Sequence, residues 1–170
     1  MKNVIKMLVA VAVLGLAVSS FAQTNESSDG WRLGLGGAGS TSTVQSGGSA
    51  FGLQVDIARE GVVWLPTLTG VRQSVSYANN GGSQTLLGTT FYNDWTVLKV
   101  KKFEGFVGAN VGIVYGNTTL RWTAAPEMGV RYAIRDGIFL VGRIEYAFNL
   151  NNGGKAQDAV GYSVGIQFNL

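Results

Sequence analysis

The chain has 170 residues, of which 46% are hydrophobic and only 14% charged, and it contains no histidine and no cysteine. Those absences exclude Ser-His-Asp, Cys-His and histidine-ligated metal chemistry, and with them a disulfide framework. The formal charge of +3 falls to +1 without Lys2 and Lys6, so the basic balance is no signature of nucleic-acid binding, and no nucleic-acid partner is expected.

Lys2 and Lys6 precede an apolar run from Met7 to Val18, and Ser20-Phe21-Ala22 then offers small residues where a signal peptidase reads. The expected division is a signal peptide over 1–22, a short polar segment over 23–30 and a single domain over 31–170. The apolar run is shorter than the roughly 20 residues of a spanning helix. The polar segment has no apolar periodicity to drive burial.

Glycine is abundant at 25 residues, proline is scarce at 2, and no later segment combines length with helical apolar spacing. The expected fold is therefore all-β, with strands over 31–39, 50–58, 66–77, 85–97, 104–116, 121–134, 138–149 and 159–170. Each is near or above the roughly 9 to 11 residues that a tilted strand needs to cross a bilayer. Proline cannot donate to a ladder, so Pro66 is expected at a strand start and Pro126 at a bulge or kink.

The connections alternate in character. Ser40 to Ser49, Ala78 to Gln84, Asn117 to Thr119 and Leu150 to Asp158 are mostly Gly, Asn, Ser and Thr, whereas Arg59 to Gly61, Leu98 to Phe103 and Arg135 to Gly137 are mainly tight and charged. An up-and-down transmembrane barrel has short turns at its periplasmic end and longer loops outside, with both barrel termini on the periplasmic side when the strand number is even. Eight antiparallel strands with this loop pattern predict such a barrel.

The faces carry the same message. Leu140, Ile144, Tyr146 and Phe148 alternate with Val141, Arg143, Glu145 and Ala147; Met128, Val130 and Tyr132 oppose Glu127, Gly129 and Arg131; Val107, Ala109, Val111, Ile113 and Tyr115 oppose Gly108, Asn110 and Gly112. One face is continuously apolar, and the other is too polar and glycine-rich for a soluble core, so the apolar face is expected to point toward lipid. Trp31, Trp95, Tyr132 and Phe168 then fall toward one end of the strands, and Tyr77, Tyr115, Trp122, Phe148 and Tyr162 toward the other, as two interfacial belts would. The plainer explanation of those rings is strand propensity.

An eight-stranded tube is just wide enough to be filled by side chains. The inward charges expected are Arg32, Asp56, Arg72, Asp94, Glu127, Arg131, Arg143 and Glu145, a set balanced in sign whose basic members are all arginine. The guanidinium fork suits buried carboxylate pairing, so an ion-paired interior is expected. It could serve as a gate, or simply as polar filling. Carboxylates paired with arginine are poor general acids, so no enzymatic activity and no cofactor are expected. The Gly34 to Gly39 stretch lacks the following helix of a nucleotide-binding loop. The Lys99-Val100-Lys101-Lys102 run suits either anionic headgroups or a solvated turn.

The segments Pro126-Glu127-Met128-Gly129-Val130-Arg131-Tyr132 and Gly142-Arg143-Ile144-Glu145-Tyr146, together with the strand Val160 to Leu170, carry a family likeness. Over Trp31 to Leu170 the chain resembles small eight-stranded outer-membrane proteins of the OmpA transmembrane-domain and OmpX kind, porin-like outer-membrane β-barrels. The resemblance implies a bacterial outer-membrane location, contact with outer-membrane lipid, a monomeric state, and external loops that present any extracellular ligand site. It also implies that Tyr162, Val164, Ile166, Phe168 and Leu170 form the signal read by the outer-membrane assembly machinery. That signal usually ends in Phe or Trp, whereas here Phe168 stands two residues before Leu170. No peptidoglycan-binding domain is read after the barrel, so cell-wall anchoring is not implied. A structural or surface-interaction role is expected, with a narrow channel for ions or small solutes as the alternative and a soluble periplasmic ligand-binding barrel as the third reading.

Overall fold

Valine, isoleucine, leucine and aromatic side chains at every second position, separated by Gly, Ser or a charge, favour extended chain with two unlike faces. A computed structural model describes residues 30–43, 48–61, 67–79, 83–116, 120–150 and 158–170. The expected signal peptide, most of the polar segment, Pro66 and the centres of the longer loops lie outside the described residues. All eight strands form: β1 Trp31–Ser42, β2 Ser49–Glu60, β3 Thr67–Asn79, β4 Ser83–Val100, β5 Phe103–Tyr115, β6 Leu120–Arg135, β7 Ile138–Asn149 and β8 Ala159–Asn169. Each pairs antiparallel with the next, and β1 pairs with β8 from Arg32↔Asn169 to Ser42↔Ala159, which closes the barrel and leaves no sheet edge.

The barrel has two distinct ends. One, the turn end, carries Trp31, Gly61, the two-residue turns Lys101-Lys102 and Asp136-Gly137, and Asn169. Backbone bonds from Glu60 N to Gly30 O (2.8 Å), Asn169 N to Gly137 O (2.8 Å) and Leu170 N to Trp31 O (2.9 Å) stitch this rim together. The other, the loop end, carries the starts of β2, β4, β6 and β8.

Three local expectations need correction. The connection expected over Leu98 to Phe103 is only Lys101-Lys102: β4 runs to Val100, and Lys99↔Glu104 and Val100↔Phe103 continue the ladder into β5. A Lys99–Glu104 ion pair of 2.9 Å spans this ladder, so the charges that suggested a turn instead help pair two strands. Similarly Arg59, Glu60 and Arg135 are strand residues. Pro126 does not cause a bulge. Its pairing toward β7 lapses between Ala124↔Phe148 and Glu127↔Glu145 without any change of register, and the shifts fall instead at Thr96/Leu98 and Ala133/Arg135 near the turn end. A missing N–H can therefore be accommodated by a gap in the ladder.

The outward face is apolar throughout the middle of the barrel, with Met128 and Val164 each 62% exposed and Ile144 58% exposed. Ring pairs stand near both ends: Phe103 with Tyr132 at 4.7 Å near the turn end, and Phe51 with Tyr77 at 5.8 Å and Tyr146 with Phe148 at 5.0 Å near the loop end. The inward face alternates large polar groups with glycine where strands approach closely. At Gly52 a Cβ would collide with the Val75 carbonyl oxygen and stand 2.6 Å from Ser76 Cα. Because both obstacles are backbone, Gly52→Ala is expected to lower unfolding stability by about 1–3 kcal/mol, read as an earlier urea midpoint of the refolded barrel.

Candidate functional site

The interior between the barrel ends is a chain of charges supplied by alternate inward positions of β3 to β7. Arg131 Nη2 stands 2.6 Å from Asp94 Oδ2, and Arg143 Nη2 stands 3.1 Å from the same oxygen. Arg143 Nε also faces Glu127 Oε2 at 3.6 Å. Arg72 reaches Glu127 at 3.4 Å through Nη2 and Glu145 at 3.6 Å through Nη1. Asn110 Nδ2 donates to Glu127 at 3.0 Å and Glu145 at 2.9 Å, joining the two carboxylates from the β5 side. The connected path thus runs Arg131, Asp94, Arg143, Glu127, Arg72, Glu145. Each member is buried except Glu145, which is half-buried.

Aromatic rings fill the space beside this path. The Arg131 guanidinium lies 4.1 Å from the Phe106 ring centre, and Arg72 and Arg143 lie 4.8 and 5.2 Å from that of Tyr92. A weakly hydrated planar cation against a ring replaces part of the lost hydration that an ammonium could not give up as cheaply. Phe106 and Tyr92 are each 2% exposed.

Two of the expected charges are held differently from the rest. Asp56 stands across from Arg72 in the β2–β3 register, but its Oδ2 accepts from Tyr92 Oη at 2.7 Å and Gln167 Nε2 at 3.0 Å. Arg32 pairs with Glu60 at the turn end and lies 4.3 Å from the Phe139 ring. Alternation along the sequence assigns each side chain to a face, but not its neighbours across strands. Tyr92, Phe106, Asn110, Gln167 and Glu60 were therefore missed as partners, although Tyr92 shares the parity of Asp94 within β4. Buried Glu104, paired with Lys99, was likewise missed.

Above the charged path, toward the loop end, the interior is hollow. An open cavity of about 240 Å³ is lined by small side chains such as Ala38, Gly52, Ser74 and Gly88, with Arg72 and Glu145 among its charged lining residues. The difference follows from residue size: the inward positions near the loop end are mostly Ala, Gly, Ser and Thr, whereas those nearer the turn end include Arg, Tyr and Phe. Among the described residues, no group of His, Cys, Asp or Glu could hold a metal ion. The terminal series lies on β8, where Tyr162, Val164 and Ile166 point outward and are exposed, Phe168 is half-exposed, and Leu170 follows the strand.

No protein-family model matches the sequence, and no curated protein is detectably similar to it in sequence. Solved structures do match its shape. Neisserial surface protein A shares 14% identity at a TM-score of 0.56, over 83% of this chain and 97% of its own. The outer-membrane protein OprG of Pseudomonas aeruginosa shares 11% identity at 0.54, over 81% and 94%. The N-terminal β-barrel domain of Pseudomonas aeruginosa OprF shares 12% at 0.51, over 81% and 97%. The fold is thus that of the small eight-stranded outer-membrane β-barrels.

Proposed function

We propose that this chain is an integral protein of the bacterial outer membrane with a structural or surface-interaction role, its external loops presenting any ligand specificity. The observation that carries the reading is the apolar outward face, with charges turned inward and paired. In water this arrangement would expose a ring of Met, Val, Ile and Leu far larger than soluble proteins show; in lipid it suits a sheet whose closure leaves no open edge. The inward charges argue against the soluble ligand-binding barrel, whose apolar face would line the interior. Export by a signal peptide, recognition of Tyr162, Val164, Ile166, Phe168 and Leu170 by the assembly machinery, and a monomeric state belong to the same proposal. So does the absence of catalysis, since the buried carboxylates are engaged by Arg, Lys, Asn, Tyr or Gln. Cell fractionation with boiled and unboiled gel samples tests it: an outer-membrane band that migrates differently unboiled is expected, and a soluble band without a heat shift would refute it.

The cavity at the loop end favours one second reading, a narrow channel. Below that cavity, Arg72, Tyr92, Arg143 and Phe106 fill the tube. Planar-bilayer recordings of the refolded protein are accordingly expected to show no conductance above leak. Stable unitary currents would favour the channel and assign the Arg72 pairs a gating role.

A further inference from the structure

We propose that the β4–β5 turn, Lys101-Lys102, is a binding site for the phosphate headgroup of an anionic glycerophospholipid whose acyl chains lie along the adjoining outward face. The proposal rests on the membrane reading above. Three observations carry it.

The first is charge. Arg32 is taken by Glu60 and Lys99 by Glu104, which leaves Arg59, Lys101, Lys102 and Arg135 against Asp136 among the described residues of the turn end. The described charges of the loop end are Arg121 and Asp158 alone. Among the described residues, positive charge is therefore concentrated at one rim.

The second is backbone conformation. Lys101 has φ 53°, and no other described non-glycine residue has a positive φ; at the same end, Gly61 and Gly137 supply φ 71° and 73°. A side chain in the left-handed region costs about 1–2 kcal/mol that glycine avoids. A lysine held there presents its ammonium at the tip of the hairpin at a steric cost. Such an outlier points to a role beyond making the turn.

The third is the surface around it. Val100 and Phe103 flank the turn and are 51% and 55% exposed, Leu98 and Ile134 are exposed nearby, and the Phe103–Tyr132 ring pair stands beside them. Lys102 O accepts from Ala133 N at 2.8 Å, fixing the turn against β6. A soluble anion would match the ammonium groups alone, whereas in the membrane this apolar skirt already lies against acyl chains and so sets the lysines at headgroup depth. An anionic lipid matches both, with lysine stems lying over acyl chain and their charges at the phosphate level.

The test compares the wild type with Lys101→Gly and with the double variant Lys101→Gly/Lys102→Gln, each assembled in bilayers of equal phosphatidylglycerol and phosphatidylcholine, then extracted with mild detergent for quantification of retained lipid. Lys101→Gly relieves the left-handed strain, so folding is preserved and the heat-modified band serves as the control. The wild type is expected to retain phosphatidylglycerol preferentially. Each lysine removed should cut that preference about fivefold. Equal retention of the two lipids by the wild type, or an unchanged preference in the double variant, would overturn the site while leaving the membrane reading intact. A wild type that enters no bilayer and retains neither lipid would overturn both.

Discussion

Asp94→Ala is expected to destabilise the barrel by about 3–5 kcal/mol, the largest effect of any single substitution in the interior. Asp94 is completely buried, and one of its oxygens faces both Arg131 and Arg143. Truncation would leave Arg131, 1% exposed, with no carboxylate partner among the described residues, while Arg143 would keep only the longer approach to Glu127. Removing one member of a buried pair is costly because the remaining charge has lost its water without compensation. The double variant Asp94→Leu/Arg131→Met should therefore recover much of the loss, since the uncompensated guanidinium disappears and Met can still pack on Phe106. Urea unfolding of the refolded proteins in lipid vesicles gives the comparison. If the double variant is as unstable as the sum of its single changes, the two groups do not act as a pair.

Met128→Arg is the second large effect, and it depends on what surrounds the barrel. Met128 lies at the middle of β6, opposite Val107 on one side and Ile144 on the other, and is 62% exposed. At the midplane of a bilayer an outward arginine on a barrel costs about 2–4 kcal/mol. On a water-facing surface the same change would fall within about 0.5 kcal/mol of neutral. Arginine near a strand end should cost far less in either setting, so Val160→Arg, at the second residue of β8, serves as the reference for depth. Unfolding free energies in vesicles that rank Met128→Arg well below Val160→Arg match the lipid-facing assignment, and equal, negligible effects contradict it.

The barrel was readable from the chain because a side-chain period of two leaves little freedom. A one-residue slip anywhere in β5, β6 or β7 would turn Val111, Met128 or Ile144 inward and Asn110, Glu127 or Arg143 into the outer layer. Strand number and closure follow from the same alternation repeated eight times. Strand ends were less legible, since Lys99, Lys101 and Lys102 have the composition of a solvated turn, while the ladder to Glu104 and Phe103 exists only through cross-strand pairing. The interior was readable as a set of faces and unreadable as a set of contacts. Asp56 shows why: Arg72 is its register partner, yet Tyr92 and Gln167 reach its carboxylate, because side-chain length and the curvature of a closed tube decide which groups meet. Pro126 shows the complementary point for the backbone, where the loss of one donor leaves the register unchanged.

Because the chain has no cysteine, single cysteines placed along β7 at positions 140, 144 and 148 can each carry a spin label without background. Paramagnetic accessibility in lipid vesicles is the most direct measurement of the outward face. The label at position 144 is expected to be reached by oxygen and shielded from a water-soluble nickel reagent, with the balance shifting toward the nickel reagent at positions 140 and 148. A label at 144 that meets the aqueous reagent as freely as those at 140 and 148 would contradict the placement of this barrel in a membrane.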